Sequence, residues 1–573
     1  MKRRAEAILA EPVSKYKAGD LLETSRTVLK RLYILGFMYR LGGDKRYLSR
    51  AKSEMMSVCS FPNWHPEHFL DTAEMTQALA IGYDWFYDAL SESERLSLVH
   101  AITELGLKPG LKAEEERKEL WVNETHSNWC LVCYGGLLTG ALALGADSAS
   151  DAKLDESIFS ASVNHLRQSL AHFAPDGAWV EGLGYWNYGS MYATTAIACL
   201  ETAIGNDGGL AKVNGFERAG LFFVDCIGPT GSPFDFADAE PTVRNSPQLF
   251  WFASRYNLPV LAYYERELLR TLNKKIDPRD LIWFNPSGSG SDLEKRPLVS
   301  TYRGATQLVT MRTGWHQDDS FVAFKGGDNT SHHAHLELGT FVFDRDGVRW
   351  VSQLGVENYD LPGYFENRKS PSSKRWTYYR CATAGQNTVV VNHRNQDTSA
   401  RAYIVDAQDT DKSPENQMLR KTLPDFKDFE LEELDMSEAY KSLGIDRYTR
   451  TFALSRSKQG PLLVIDTIND RTSVQAVWQV HTNTDVRMVG DSAFQLKASG
   501  KSMRIEVLEP RDAKLSVDEV SLAAPQYKSN GVKRLAVRGA QPAKSQRFVV
   551  LFTSADDELS DDWRRRVEKW LHN

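Results

Sequence analysis

The stretch Asn329-Thr-Ser-His332-His333-Ala-His335-Leu-Glu337 puts three of the chain's 13 histidines within four residues. Imidazole exchanges its proton nearest neutral pH and is also a frequent metal ligand, so such a cluster suits acid–base work or a bound metal. If the strand Thr340-Phe-Val-Phe343 begins this early, alternation sets His333, His335 and Glu337 on one face. Chance grouping of structural histidines is the plainer account.

Two further polar clusters interrupt apolar sequence. Asn123-Glu-Thr-His126-Ser-Asn128-Trp129 stands where a helix starts, and free backbone donors with the positive dipole end suit an anion such as a carboxylate there. The structural alternative is that Thr125 or Ser127 caps the helix while His126 and Asn128 tie down a loop. Pro175-Asp-Gly-Ala-Trp-Val-Glu181-Gly-Leu-Gly-Tyr185-Trp-Asn-Tyr188 is a glycine-punctuated turn running into another helix. Its glycines permit close approach of backbone to a ligand; Tyr185 and Tyr188 could transfer protons, though a tyrosine without a partner reads first as core.

The elements that must carry these clusters fall into two blocks. From residue 20 to about 275 the apolar spacing is helical, with stretches at 20–41, 69–90, 127–145, 155–173, 188–204, 212–226 and 245–272. Gly42-Gly43 reads as a helix stop, and Ser91-Glu-Ser-Glu94 as a capping box. Helices at such short intervals suggest hairpins closing into a toroid, or a solenoid. Beyond Asn285-Pro-Ser-Gly-Ser-Gly-Ser291 the period changes to β-rich runs at 321–324, 388–391, 462–465, 477–480, 503–507 and 548–552, the pattern of an antiparallel sandwich. The expected organisation is a helical domain over 1–284, a linker over 285–298 and a β-sandwich domain over 299–573.

The chain's 573 residues exceed what one core accommodates, which agrees with two domains. Apolar residues at 42% and charged residues at 25% are ordinary globular values, with no run able to span a bilayer. A net charge of −6 argues against nucleic acid and against any polyanion bound by bulk electrostatics, so an acidic ligand would need a locally built site. The six cysteines lack disulfide-framework spacing and read as buried thiols. The start, Met1-Lys-Arg-Arg, lacks the apolar core of a secretory signal.

Taken in order, several motifs resemble the heparinase II/III-like polysaccharide lyases over nearly the whole chain. These are Phe61-Pro-Asn-Trp64, Phe69-Leu-Asp71, Ile81-Gly-Tyr-Asp-Trp85, Asn128-Trp129, Glu181-Gly-Leu-Gly-Tyr185, His333-Ala-His335, Leu361-Pro-Gly-Tyr-Phe365 and Arg375-Trp-Thr-Tyr-Tyr-Arg380. The resemblance implies an (α/α) toroid followed by antiparallel β-sheets, and β-elimination on an acidic, uronate-containing polysaccharide such as hyaluronan, chondroitin sulfate, heparan sulfate or alginate. It implies that His126 and Asn128 face the uronate carboxylate, that His333 is the catalytic histidine, and that Tyr185, with Tyr188 in reserve, is the catalytic tyrosine. Trp129, Glu181, Tyr379 and Arg380 are expected to hold substrate, the last through a forked guanidinium–carboxylate or guanidinium–sulfate pair. A periplasmic or secreted location is implied as well.

The chain departs from that family at its metal. Relatives hold a structural zinc through the second histidine of His-x-His, an aspartate and a further histidine; the matching positions here read His335, Gln353 and Gln386. Two neutral amides are poor zinc donors, so the expectation is a lost zinc and no required cofactor. Either the amides hydrogen-bond to one another and to His335, or a weaker oxygen-preferring divalent cation sits there. The competing functions are a uronate C5-epimerase, an inverting glycoside hydrolase using Glu181 with Asp176 or Asp238, and a non-catalytic glycan-binding protein.

Overall fold

The computed structural model describes residues 1–145, 147–271, 276–406, 429–458, 460–555 and 558–571. They group into two compact units. The first comprises Met1–Gly177, Tyr185–Gly220 and Arg244–Gly290; the second comprises Ala178–Gly184, Leu221–Val243 and Ser291–Asn573.

The first unit is helical. It holds α1 (Lys2–Ala10), α2 (Leu21–Gly42), α3 (Lys45–Cys59), α4 (Leu70–Phe86), α5 (Glu92–Ala101), α6 (Lys108–Glu116) and α7 (Leu120–Asn123). Then come α8 (Asn128–Leu144), α9 (Ala152–Leu170), most of α10 (Leu183–Ile204), the start of α11 (Ala219–Asp225), α12 (Gln248–Tyr256), α13 (Pro259–Thr271) and α14 (Pro278–Ile282). Local chemistry sets the ends. Gly43, at φ 68°, closes α2 through its N–H on Tyr39 O, and Ser91 with Glu94 forms the expected box at the start of α5. The helix expected over 245–272 is two helices, because Asn257 turns left-handed at φ 53° and Pro259 can only begin a new helix. The helix expected over 212–226 is shorter, preceded by 3-10 turns at 210–212 and 216–218.

Within this unit α8 is nearly all buried and packs against α4 and α9. The approach depends on missing side chains. A Cβ on Gly136 would collide with the backbone carbonyl of Ala73 in α4, and one on Gly135 would sit 3.2 Å from Tyr192 O in α10. One on Gly189 of α10 would meet the Leu131 side chain of α8 at 2.9 Å. Small residues thus bring α4, α8 and α10 together, and with them Asp71, Asn128, Tyr185 and Tyr188.

The second unit is built of antiparallel strands β1 (Val299–Tyr302), β2 (Leu308–Arg312), β3 (Phe321–Lys325), β4 (Gly327–Asp328), β5 (Phe341–Arg345) and β6 (Val348–Val351). They continue as β7 (Val389–Val391), β8 (Arg401–Ile404), β9 (Phe429–Asp435), β10 (Ile445–Ser455), β11 (Leu462–Val474) and β12 (Ala476–Thr482). The last are β13 (Asp485–Val489), β14 (Ala493–Ala498), β15 (Lys501–Glu509), β16 (Lys514–Glu519), β17 (Lys533–Arg538) and β18 (Ala543–Ser554). The sheet orders are β1-β2-β3-β5-β6, β13-β14-β15-β18-β11-β10-β9-β8-β4 and β16-β17-β12-β7. Alternate residues of all three, among them Phe324, Phe341, Trp350, Val391, Phe452, Trp478 and Phe552, form one shared core, as stacked sheets require.

Two segments expected with the helices group with the sheets instead. Residues 221–243 bend back on themselves through Phe234 N–H on Cys226 O, and are held by Arg312 on the carbonyls of Asp225 and Ile227, by Thr230 on Asp344 and by Val356 N–H on Ala239 O. Residues 178–184 join them where Gly182, at φ 85°, passes Phe236 O so closely that a Cβ would come within 2.7 Å. The expected linker contains a short helix, Gly290–Glu294.

Candidate active site

The second unit gathers its polar chemistry on Asp238, which is buried among the sheets' loops. Its Oδ2 lies 2.9 Å from His333 Nδ1 and its Oδ1 lies 2.8 Å from His335 Nε2. Tyr364 donates its hydroxyl to Oδ1, and Arg375 Nη2 donates to both oxygens at 3.2 and 3.1 Å. Burial alone would raise the Asp238 carboxyl, but Arg375 and the two histidines outweigh it and hold the group well below the usual carboxylate range. An ionised carboxylate only accepts, so His333 donates to it from Nδ1. Tyr359 hydroxyl, 3.3 Å from the same Nδ1, flanks the ring.

His333 and His335 reach one carboxylate without being strand neighbours. The strand begins only at Phe341, so the alternation expected from His333 through Glu337 is replaced by a turn in which His333 adopts φ 58°. Arg375 fixes that turn through the carbonyls of His333 and Ala334. Glu337 faces elsewhere: it accepts from Ala237 N–H at 2.9 Å, pairs with Lys325 at 3.3 Å, and so anchors the segment that bears Asp238. A left-handed imidazole-bearing residue costs about 1–3 kcal/mol and persists only where its surroundings impose it.

Residues at the family's three zinc positions do not fit a zinc ion. His335 Nε2 is taken by Asp238. Burial lowers its proton affinity, but Cys381 and Asp238 push it up to about 10, so it is a cation itself. The amides do not bond to one another or to His335, contrary to expectation. Gln353 accepts from Thr340 and donates towards Glu337, and Gln386 donates to Arg380 O at 2.5 Å.

Tyr379 and Arg380, expected at the substrate, brace the scaffold. Tyr379 hydroxyl lies 3.0 Å from His481 Nε2, while Arg380 donates to Leu354 O, Val356 O, Lys528 O and Ser529 Oγ and pairs with Glu357 at 3.7 Å. Glu181 is fully buried and accepts from Trp179 Nε1 at 3.0 Å. Asp238 entered the sequence reading only as a hydrolase carboxylate, and Tyr359, Tyr364 and Arg375, which surround His333 with it, were given no role there. Tyr364 and Arg375 lie inside the motifs quoted above without a role attached, and the signal for Asp238 is an aspartate among apolar neighbours in Phe234-Asp-Phe-Ala-Asp238.

In the first unit, Ser127 is the cap of α8, accepting from Trp129 N–H at 3.3 Å, and Asn128 is the first helical residue, fully buried. His126 is half-buried with its ring 5.8 Å from His172, which also meets Thr125 Oγ1 at 3.0 Å. Trp129 sets its ring edge-on to His68. Tyr188 donates to Glu74, while Arg26 pairs with Glu74 at 3.1 Å and lies 5.2 Å from the Tyr188 ring. Burial and the Glu74 charge hold the Tyr188 phenol well above its ordinary value. Tyr185, one turn earlier, is partly exposed.

With this geometry in view, residues 306–558 match the family described as Heparinase II/III-like, C-terminal. No curated protein matches the chain in sequence. Among solved structures, a mutant heparan sulfate lyase from Pedobacter heparinus superposes with a TM-score of 0.63 at 13% identity, covering 91% of this chain and 75% of its own. A heparinase III gives 0.61 at 11% identity over 97% and 89%. A chondroitin AC lyase from Streptomyces coelicolor A3, in complex with chondroitin sulphate, gives 0.51 at 9% identity over 97% and 79%. No helix among the described residues is long and apolar enough to cross a membrane. Residues 306–558 thus match the heparinase II/III-like C-terminal family, and the chain shares the fold of the heparinase structures, a helical toroid followed by antiparallel sheets.

Proposed function

We propose that this protein is a polysaccharide lyase that cleaves uronate-containing acidic polysaccharides by β-elimination. The observation that carries the reading is the bond from His333 Nδ1 to the buried, ionised Asp238, because it fixes the orientation of an imidazole whose other nitrogen, Nε2, we assign as the base. Uronate C5 holds its proton tightly, so the neighbouring carboxylate must first be relieved of charge. Asn128 and His126 at the start of α8 serve that purpose as donors whose hydrogen bonds strengthen while the enolate forms. His333 Nε2 then takes the C5 proton, the electron pair moves into a C4–C5 double bond, and the bond to the glycosidic oxygen at C4 breaks. Tyr185 gives that oxygen its proton, or takes the C5 proton when it lies on the opposite face. We prefer Tyr185 to Tyr188, whose hydroxyl donates to Glu74 and whose phenol burial holds high.

The same geometry disfavours hydrolysis by Asp238, since a carboxylate held in four pairings and well below its usual range neither donates a proton nor reaches a water. Heparan sulfate, chondroitin sulphate and xanthan, named for the similar structures, all contain uronic acids, which supports a uronate substrate. The size of such a polymer supports a periplasmic or secreted location. The test is incubation with hyaluronan, chondroitin sulfate, dermatan sulfate, heparan sulfate and alginate, following the ultraviolet absorbance of unsaturated ends. Absorbance should rise with at least one polymer and vanish in His333→Ala and Tyr185→Phe. Saturated reducing ends, or no gain with any polymer from folded protein, overturn the reading.

A further inference from the structure

A second constellation lies wholly in the helical unit and is used by none of the chemistry above. His65, His68 and Asp71, spaced three residues apart, each offer one ligand atom within 4.8 Å of the other two. His65 Nδ1 is 3.1 Å from Asp71 Oδ1, and His68 Nδ1 meets Asp71 Oδ2. The two rings stack with centroids 5.6 Å apart. From this arrangement we infer that His65, His68 and Asp71 form a site for a zinc-type divalent cation with one coordination position open to solvent.

The chemistry of the donor set selects the ion. Two imidazole nitrogens and one carboxylate suit Zn²⁺, Co²⁺ or Ni²⁺, whereas Ca²⁺ and Mg²⁺ demand oxygen ligands throughout. Bonds of about 2.0–2.1 Å to a tetrahedral ion put its ligands a little over 3 Å apart, within small side-chain rotations of the observed spacing. On binding, each imidazole releases Nδ1 from Asp71 by carrying its proton on Nε2 instead, so no net proton need leave from neutral rings.

The support around the ligands is that of a prepared site. Asp71 is almost completely buried in the first turn of α4, while the His65 and His68 side chains are 40% and 36% exposed. The ion would therefore be held from beneath and reached from solvent. The loop that delivers the histidines is pinned at both ends: Trp64 donates from Nε1 to Val58 O and accepts at its carbonyl from Thr72 Oγ1, and Phe69 stacks on Trp121 at 4.3 Å. His65 and Phe69 both take left-handed backbone, at φ 62° and 64°, which turns the two imidazoles onto one carboxylate. Trp129 holds the His68 ring edge-on at 4.9 Å, and Ser25 Oγ donates to Asp71 O at 2.9 Å. Surface histidines with no task would not converge on one buried acid at the cost of two strained residues. The open position would take water or an oxygen of an anionic group, and the inference stands whether or not the chain is a lyase.

The test uses the full chain stripped of metal. Titration with Co²⁺ should produce the visible absorption of a tetrahedral site at one equivalent, and calorimetry with Zn²⁺ should give the same stoichiometry. His65→Gln with His68→Gln, both partly exposed, should weaken binding at least tenfold, while His335→Gln leaves it unchanged. X-ray absorption of the zinc-loaded wild type gives a readout free of any folding defect, and should show two imidazoles with oxygen. The inference fails if the wild type takes up neither ion, if the double variant binds as tightly as the wild type, or if the ion carries fewer than two imidazoles.

Discussion

Asp238 accepts from two histidines, a tyrosine and an arginine, and its charge decides what each of them can do. In Asp238→Asn one oxygen becomes an N–H₂ that faces the donors it used to satisfy. His333 must then rotate or move its proton to Nε2, and the lone pair needed for the C5 proton is lost. The expected result is a fall in kcat of about 10²–10⁴, the range supplied by a positioned base, with KM little changed. The proton shared by Asp238 and His333 Nδ1 should disappear from the low-field NMR spectrum of the same variant. Equal activity in wild type and variant would remove the base from His333. Because one partner of a buried ionic cluster is being neutralised, a loss of stability of about 3–5 kcal/mol is also expected, so the melt must be recorded alongside.

At the scale of elements, the helix α8 carries both the Ser127 cap and Asn128, and its position is set by glycines rather than by large side chains. Gly136→Ala forces a methyl group onto the Ala73 backbone of α4, where no rotamer can relieve it. Chemical denaturation should show a loss of about 1–3 kcal/mol, and activity should fall with it as Asn128 shifts. A variant as stable as the wild type would show that α4 and α8 do not approach so closely. This close packing also explains what could be read beforehand. Helix ends at Gly43 and Ser91, the change of period after 285–291, and the strands at 321–324 and 462–465 follow from local signals, and the structure has them. His333 and Asn128 stood out because polar groups beside apolar runs need a reason. The pairings of Asp238 with His333 and Arg375 did not, because residues separated by about a hundred positions meet only through the bend at 221–243, which no local pattern encodes. Arg380 shows a related limit: a fork of donors looks the same in sequence whether it meets a sugar or the loop carbonyls it bonds here.

For the whole molecule, the same cluster makes stability depend on pH in a defined direction. Asp238 is held below its ordinary value, so its contribution is present above the unfolded carboxylate range and fades as pH falls through that range towards the folded value. His335 is pushed up to about 10 from an ordinary value of 6.5, so its contribution is complete below about 6.5 and is lost as pH rises through about 10. The cluster is therefore strongest between about pH 4 and 6.5. Comparing wild type with His335→Gln isolates the second limb, since the glutamine can still hydrogen-bond Asp238 but cannot carry charge. The stability difference read from the melts should be widest near pH 6, amount to about a few kcal/mol there, and close steadily between pH 7 and 10. A difference that stays flat from pH 6 to 10 would mean that His335 is neutral, leaving Arg375 as the one cation that balances Asp238 and placing on that single guanidinium the orientation of His333.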